Sequence, residues 1–158
     1  MIAMTTGGRA APAGPASPTA RIVVVDDDSA VCALVSEVLE EEGYDVAAAA
    51  NGWAALDLLA RWRREGQPPP DLLLLDIRMP AMDGWEFLHA YRRTPPPRAA
   101  VVALTASHNA AADAALNGFA GALIKPFAIE ELIAVAARHT CGAGAAGRRA
   151  LAMAAGPA

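Results

Sequence analysis

The chain has 158 residues, about one ordinary domain; its hydrophobic fraction of 54% includes 40 alanines, so Leu, Ile, Val and a few aromatics must supply the core. Thirteen basic against seventeen acidic residues leave a net charge of −4, which opposes the counterion release that nucleic-acid binding draws on. No uncharged apolar run is long enough to cross a membrane, the first twenty residues hold no signal-type stretch, and Cys32 and Cys141 share no metal-ligand spacing, so a cytoplasmic chain with reduced thiols is expected, touching neither membrane nor nucleic acid.

Residues 1–20 carry three of the twelve prolines and residues 141–158 read CGAGAAGRRALAMAAGPA. Both are expected to be flexible tails around a patterned region at 21–140. All seventeen acids fall in that region, where ten basic residues give a net −7.

The first predicted strand is Ile22 to Val25, a β-branched run. A helix follows from about Ser29 to Glu42 with Val31, Leu34, Val35, Val38 and Leu39 on one face, stopped by Gly43. Tyr44 to Ala49 reads as a weaker strand, and Asn51-Gly52 leads into a helix whose Trp53, Leu56, Leu59 and Trp62 share a side. Leu72 to Leu75, bounded by Asp71 and Asp76, is apolar on both faces as a central parallel strand must be. A short helix (Gly84 to Arg93), a strand (Ala100 to Leu104), a helix near Asn109 to Leu116, a strand (Ala122 to Ile124) and a helix from about Ile129 to Arg138 complete the pattern. Five strands alternating with five helices predict a parallel α/β sheet. The triprolines at 68–70 and 95–97 fall between a helix and a strand and read as stiff connections.

Ligand sites in such sheets lie beyond the carboxyl ends of the strands. Strand one ends in Asp26-Asp27-Asp28, strand three in Asp76, strand four in Thr105 and strand five in Lys125-Pro126. Converging carboxylates repel one another, and a hard divalent cation such as Mg2+ relieves that repulsion. Lys125 is the only lysine in the chain; its compact ammonium and the Thr105 hydroxyl suit phosphoryl oxygens. Asp28 and Asp83, taken alone, read as helix caps, and His89, His108 and His139 as surface or packing residues. The three tryptophans are expected to cover the sheet.

With VVVDDDS after strand one, LLLLDIRMPAMDGWEF around strand three, LTA at 104–106 and KPF at 125–127, the region 21–140 resembles the receiver domains of bacterial two-component response regulators. The resemblance implies a flavodoxin-like doubly wound (βα)5 fold with strand order 2-1-3-4-5. It implies that Asp76 takes a phosphoryl group from a sensor histidine kinase or histidine phosphotransfer protein. It also implies that Asp27, Asp76 and the backbone carbonyl of Arg78 bind Mg2+ directly, with Asp26 acting through a water, and that Thr105 and Lys125 contact the phosphoryl oxygens. Such a protein is no enzyme beyond assisting its own phosphorylation and dephosphorylation, and it acts on a downstream protein that the sequence does not identify.

Two positions depart from the family pattern. Ala122 stands three residues before the lysine, where Tyr or Phe is common, and Phe119 lies too far along the chain to be taken as its substitute. Ala128 opens the last helix without an oxygen-bearing cap. Both leave phosphorylation untouched and bear on output. A constitutive receiver-fold interaction module is therefore an alternative. A more remote one is an Mg-dependent aspartyl phosphatase using Asp26 and Asp28. With no output domain in the tails, a stand-alone receiver is the leading expectation.

Overall fold

A computed structural model of the chain describes residues 19–140; the tail expectations for 1–18 and 141–158, and Cys141, lie outside the described residues. Five parallel strands, β1 (Arg21–Val25), β2 (Asp45–Ala49), β3 (Leu72–Asp76), β4 (Ala100–Thr105) and β5 (Gly121–Ile124), form one sheet in the order β2-β1-β3-β4-β5. Helices α1 (Ser29–Glu41), α2 (Gly52–Arg64), α3 (Gly84–Arg92), α4 (His108–Leu116) and α5 (Ile129–His139) alternate with them. The architecture is the flavodoxin-like one expected, and the leucine run holds the middle of the sheet with all five β3 residues buried.

Strand alternation sorts the core into two layers. Val23, Val25, Leu73, Leu75, Val101 and Ala103 face one side, where Ala55 and Leu59 of α2 and Phe87, Leu88 and Tyr91 of α3 cover them. Ile22, Val24, Leu72, Leu74, Val102 and Leu104 face the other and meet Val35, Val38 and Leu39 of α1 and Leu132 and Ala136 of α5. Apolar burial on both faces explains why the inner strands read as unbroken runs and not as alternation.

Two expectations about helix faces fail. Trp53 is 58% exposed and Leu34 51% exposed; the buried side of α2 is Gly52, Ala55 and Leu59, and that of α1 includes Cys32. The contact stripes run through Cys32, Val35, Val38 and Leu39 of α1 and through Ala55 and Leu59 of α2, and Trp53 and Leu34 fall outside them. Trp62 and Trp85 are half-buried and packed against the core, as expected. Phe119 is also core: it is 4% exposed and meets Trp85 edge-on with 5.3 Å between ring centroids.

Candidate functional site

The parallel register carries the chemistry-bearing residues to one edge. Val25 pairs with Leu75, so Asp26 and Asp76 emerge side by side. Asp76 pairs with Leu104, just before Thr105, and Thr105 pairs with Ile124, just before Lys125. The main chain closes this edge: the Lys125 N–H donates to the Thr105 carbonyl at 2.7 Å and the Ile77 N–H to the Leu104 carbonyl at 3.1 Å.

Carboxylate oxygens of Asp26, Asp27 and Asp76 lie within 4.8 Å of one another. Asp26 and Asp76 are buried and Asp27 is exposed. The Lys125 ammonium donates to Asp26 Oδ2 at 2.7 Å and stands 3.8 Å from Asp76 Oδ2. Burial lowers the affinity of this amine for its proton, but the hydrogen bond to Asp26 and the charge of Asp76 more than compensate, and its pKa is raised. Asp26 Oδ1 accepts from the Asp28 N–H at 2.9 Å, and Asp76 Oδ1 from the Arg78 N–H at 3.2 Å. Burial, and next the charge of Asp26, push the Asp76 carboxyl up to about 6 against the opposing pull of Lys125 and the Arg78 N–H. One ammonium thus leaves excess negative charge among three acids. An all-oxygen donor set with that excess fits a hard divalent cation.

Thr105 is buried at the end of β4, with its hydroxyl accepting from the Ser107 N–H at 3.1 Å. Asp28 does not join the cluster as a second acid pair: its Oδ1 accepts from the N–H groups of Ala30 and Val31 and caps α1. Asp83 caps α3 in a capping box with Glu86. Gly84 lets this helix start directly against the site, because a Cβ there would stand 2.7 Å from the Ile77 Cα and 3.1 Å from the Asp76 carbonyl oxygen. Cys32, read from the sequence only as a reduced thiol and not placed near the site, donates its thiol to the Asp26 carbonyl at 3.3 Å, and burial, then the Asp26 charge, raise its pKa. An inward-facing cysteine one turn into α1 was the available signal.

A family model described as the response regulator receiver domain matches residues 22–137. The chain belongs to this family. Sporulation initiation phosphotransferase F of Bacillus subtilis is 44% identical over 68 residues, 43% of this chain and 50% of that protein. Response regulator MprA of Mycobacterium avium is 40% identical over 119 residues, 72% of this chain and 48% of its own length. The chain thus spans about half the length of the curated relatives it matches. Among solved structures, the chemotaxis protein CheY4 of Vibrio cholerae superimposes with a TM-score of 0.60 at 31% identity, over 77% of this chain and 99% of that one. The signal receiver domain from Bermanella marisrubri gives 0.67 at 27% identity, over 77% and 98%. In this receiver domain, then, the acidic cluster, Thr105 and Lys125 share the carboxyl edge of the sheet.

Proposed function

We propose that this receiver domain accepts a phosphoryl group on Asp76 from a phosphohistidine of a sensor kinase or histidine phosphotransfer protein, and signals by phosphorylation-dependent protein binding or by passing the group on. The observation that carries this reading is the convergence of Asp26, Asp27 and Asp76 within 4.8 Å, with Lys125 against two of them. With a pKa of about 6, Asp76 is mostly ionised at neutral pH and available as a nucleophile. Its oxygen forms the new O–P bond as the P–N bond to imidazole breaks, and the imidazole leaves with that electron pair and is protonated. Lys125, already oriented by Asp26, neutralises a phosphoryl oxygen, and the Thr105 hydroxyl donates to another. Asp26, Asp27 and Asp76, with the backbone carbonyl of Arg78, would hold Mg2+, which supplies charge neutralisation for the transferring oxygens.

The test is incubation with Mg2+ and a small acyl-phosphate donor, read by intact mass and acyl-phosphate lability. Wild type gains one phosphoryl group and Asp76→Asn gains none. Incorporation that survives Asp76→Asn but is lost in Asp26→Asn would transfer the role to Asp26, as in the phosphatase reading. A second reading, a constitutive interaction module, is favoured by Ala122, which leaves the position before β5's end without a ring while Phe119 is fixed against Trp85. No incorporation in any variant, with kinases also supplied, selects that reading.

A further inference from the structure

At the end of the sheet away from the acidic cluster, a groove of about 230 Å³ lies between the α2–β3 and α3–β4 connections. Leu59, Trp62 and Tyr91 line it together with prolines of both connections, Pro69 and Pro70 from one and Pro95 to Pro97 from the other. The lining is held in place. The Tyr91 hydroxyl accepts from the Ala99 N–H at 2.8 Å, and the Arg21 guanidinium, 4.2 Å from the Trp62 ring centroid, donates to Gln67 Oε1 at 3.0 Å. Proline has no N–H to offer, so the groove presents mainly carbon. Its volume falls below the roughly 300–1,000 Å³ of small-molecule sites and suits a single bulky side chain.

Around this groove the charge of the domain reverses. Residues 61–71 and 92–98, the last turn of α2, the end of α3 and the two connections, hold six arginines (Arg61, Arg63, Arg64, Arg92, Arg93 and Arg98) and two acids (Glu65 and Asp71), a net +4 within a region 21–140 that totals −7. All six arginines are exposed, and none forms an ion pair among the described residues. The two acids are engaged elsewhere: Asp71 Oδ2 accepts from the Arg21 N–H at 2.9 Å and Glu65 Oε1 from the Gln67 amide at 3.0 Å. Cations at helix C-termini answer the macrodipole, but Arg98 is on no helix and Arg63 lines the groove itself. A carbon-lined groove with a rim of free positive charge is complementary to an apolar side chain flanked by carboxylates.

We propose that the groove docks an acidic segment of a partner protein, which inserts one bulky apolar side chain between the two triproline connections while its carboxylates meet Arg61, Arg63, Arg64 and Arg98. A short peptide stays within this basic patch, whereas a nucleic acid extends beyond a Debye length of about 8 Å and meets the acids of the surrounding domain. The surface is separate from the acidic cluster, because the triprolines precede β3 and β4 and the cluster follows the strands.

The probe is a short synthetic polyglutamate peptide with one central phenylalanine, titrated into the full chain. In 1H–15N spectra the Trp62 indole, assigned by its loss in Trp62→Phe, and the Arg63 and Gln67 amides shift saturably, while the Asp27 and Lys125 amides stay in place. Replacing the phenylalanine of the peptide by serine weakens binding about tenfold. The joint change Arg61→Gln, Arg63→Gln and Arg64→Gln, at exposed positions where glutamine keeps the helix propensity, weakens it by about as much. No shift at millimolar peptide overturns the proposal, as does equal binding by the serine peptide or by the glutamine variant. Tighter binding of a single-stranded oligonucleotide at the same resonances overturns it in favour of a general polyanion surface. Groove resonances that move on dilution without peptide overturn it in favour of a second copy of the chain.

Discussion

The role proposed for Asp76 sets two demands against one another: ionisation for nucleophilic attack, and burial beside another acid. Its carboxyl, raised from 3.8 to about 6 mainly by burial and then by Asp26, holds its proton more tightly in the folded state than in the unfolded one. Folding stability in metal-free buffer therefore falls as pH rises from about 4 to about 6 and is flat above that window, a loss of at most about 3 kcal/mol. Asp76→Asn removes this dependence. In urea titrations with chelator it is expected to be more stable than wild type at pH 7.5 by ~1–3 kcal/mol and to lose most of that advantage at pH 4; equal midpoints at both pH values would count against the strain. Millimolar Mg2+ should raise the wild-type midpoint and leave Asp76→Asn nearly unmoved. Lys125 is the counterpart. Asp26 is fully buried, and its partners are this ammonium at 2.7 Å and the Asp28 N–H. Lys125→Ala leaves the carboxylate short of a cation and is expected to cost roughly 2–3 kcal/mol, below the figure for fully buried pairs because the lysine is a quarter exposed. The same variant should still accept phosphate but lose the phosphate-dependent gain in partner affinity; an unchanged gain in a binding assay would remove Lys125 from the coupling.

The start of a helix decides how well an element presents its site residue, and α3 and α5 differ in this. Helix α3 begins with a complete capping box and with Gly84 against the backbone of Ile77 and Asp76. Gly84→Ala puts a Cβ against main chain that cannot rotate away. It is expected to destabilise the fold by ~1–3 kcal/mol and, by displacing the Asp76 carbonyl, to slow phosphorylation. Helix α5 has only the reciprocal half of a box: the Ala128 N–H donates to Glu131 Oε1 at 3.2 Å, and alanine has no oxygen to return. Ala128→Ser therefore adds the missing acceptor for about 0.5–1 kcal/mol, measurable as a higher thermal midpoint with an unchanged phosphorylation rate. The cap residues Asp28, Asp83 and Ala128 were legible in the sequence because a cap is a local matter, settled within four residues. The helix faces were less so. Hydrophobicity favoured Trp53 and Leu34 as core, whereas the buried stripes pass through Ala55 and Leu59 of α2 and Cys32, Val35, Val38 and Leu39 of α1, and the side a helix turns to the sheet is set by tertiary packing that periodicity does not record. Nor does it record Phe119 against Trp85, a contact across 34 positions of chain.

At the scale of the whole molecule, the site was legible because a parallel sheet sends every strand in one direction, so residues after each apolar run share an edge without any knowledge of side-chain geometry. The same rule puts the segments before the strands at the other edge, and there the sequence showed two triprolines but not that Arg21, Trp62 and Gln67 join them. The limits of the folding unit are likewise set by a contact and not by pattern. The family match ends at residue 137, yet the Thr140 hydroxyl is buried and donates to the Ala136 carbonyl at 2.7 Å while standing 3.1 Å from the Tyr44 hydroxyl. This bond ties the end of α5 to the entry of β2, across 96 residues. Both core layers draw on residues between Ala20 and Ala136, so a chain of residues 19–140 is expected to fold cooperatively, with a urea midpoint equivalent to within about 1 kcal/mol of the full chain. Ending the chain at 137 strips the buried Tyr44 hydroxyl of its partner and the last turn of α5 of its carbonyl cap, at a cost of ~1–3 kcal/mol. Tyr44→Phe in the 19–140 chain should cost less than that truncation, since it removes the buried hydroxyl together with its need for a partner; a truncation at 137 as stable as one at 140 would show that the unit closes at α5's third turn.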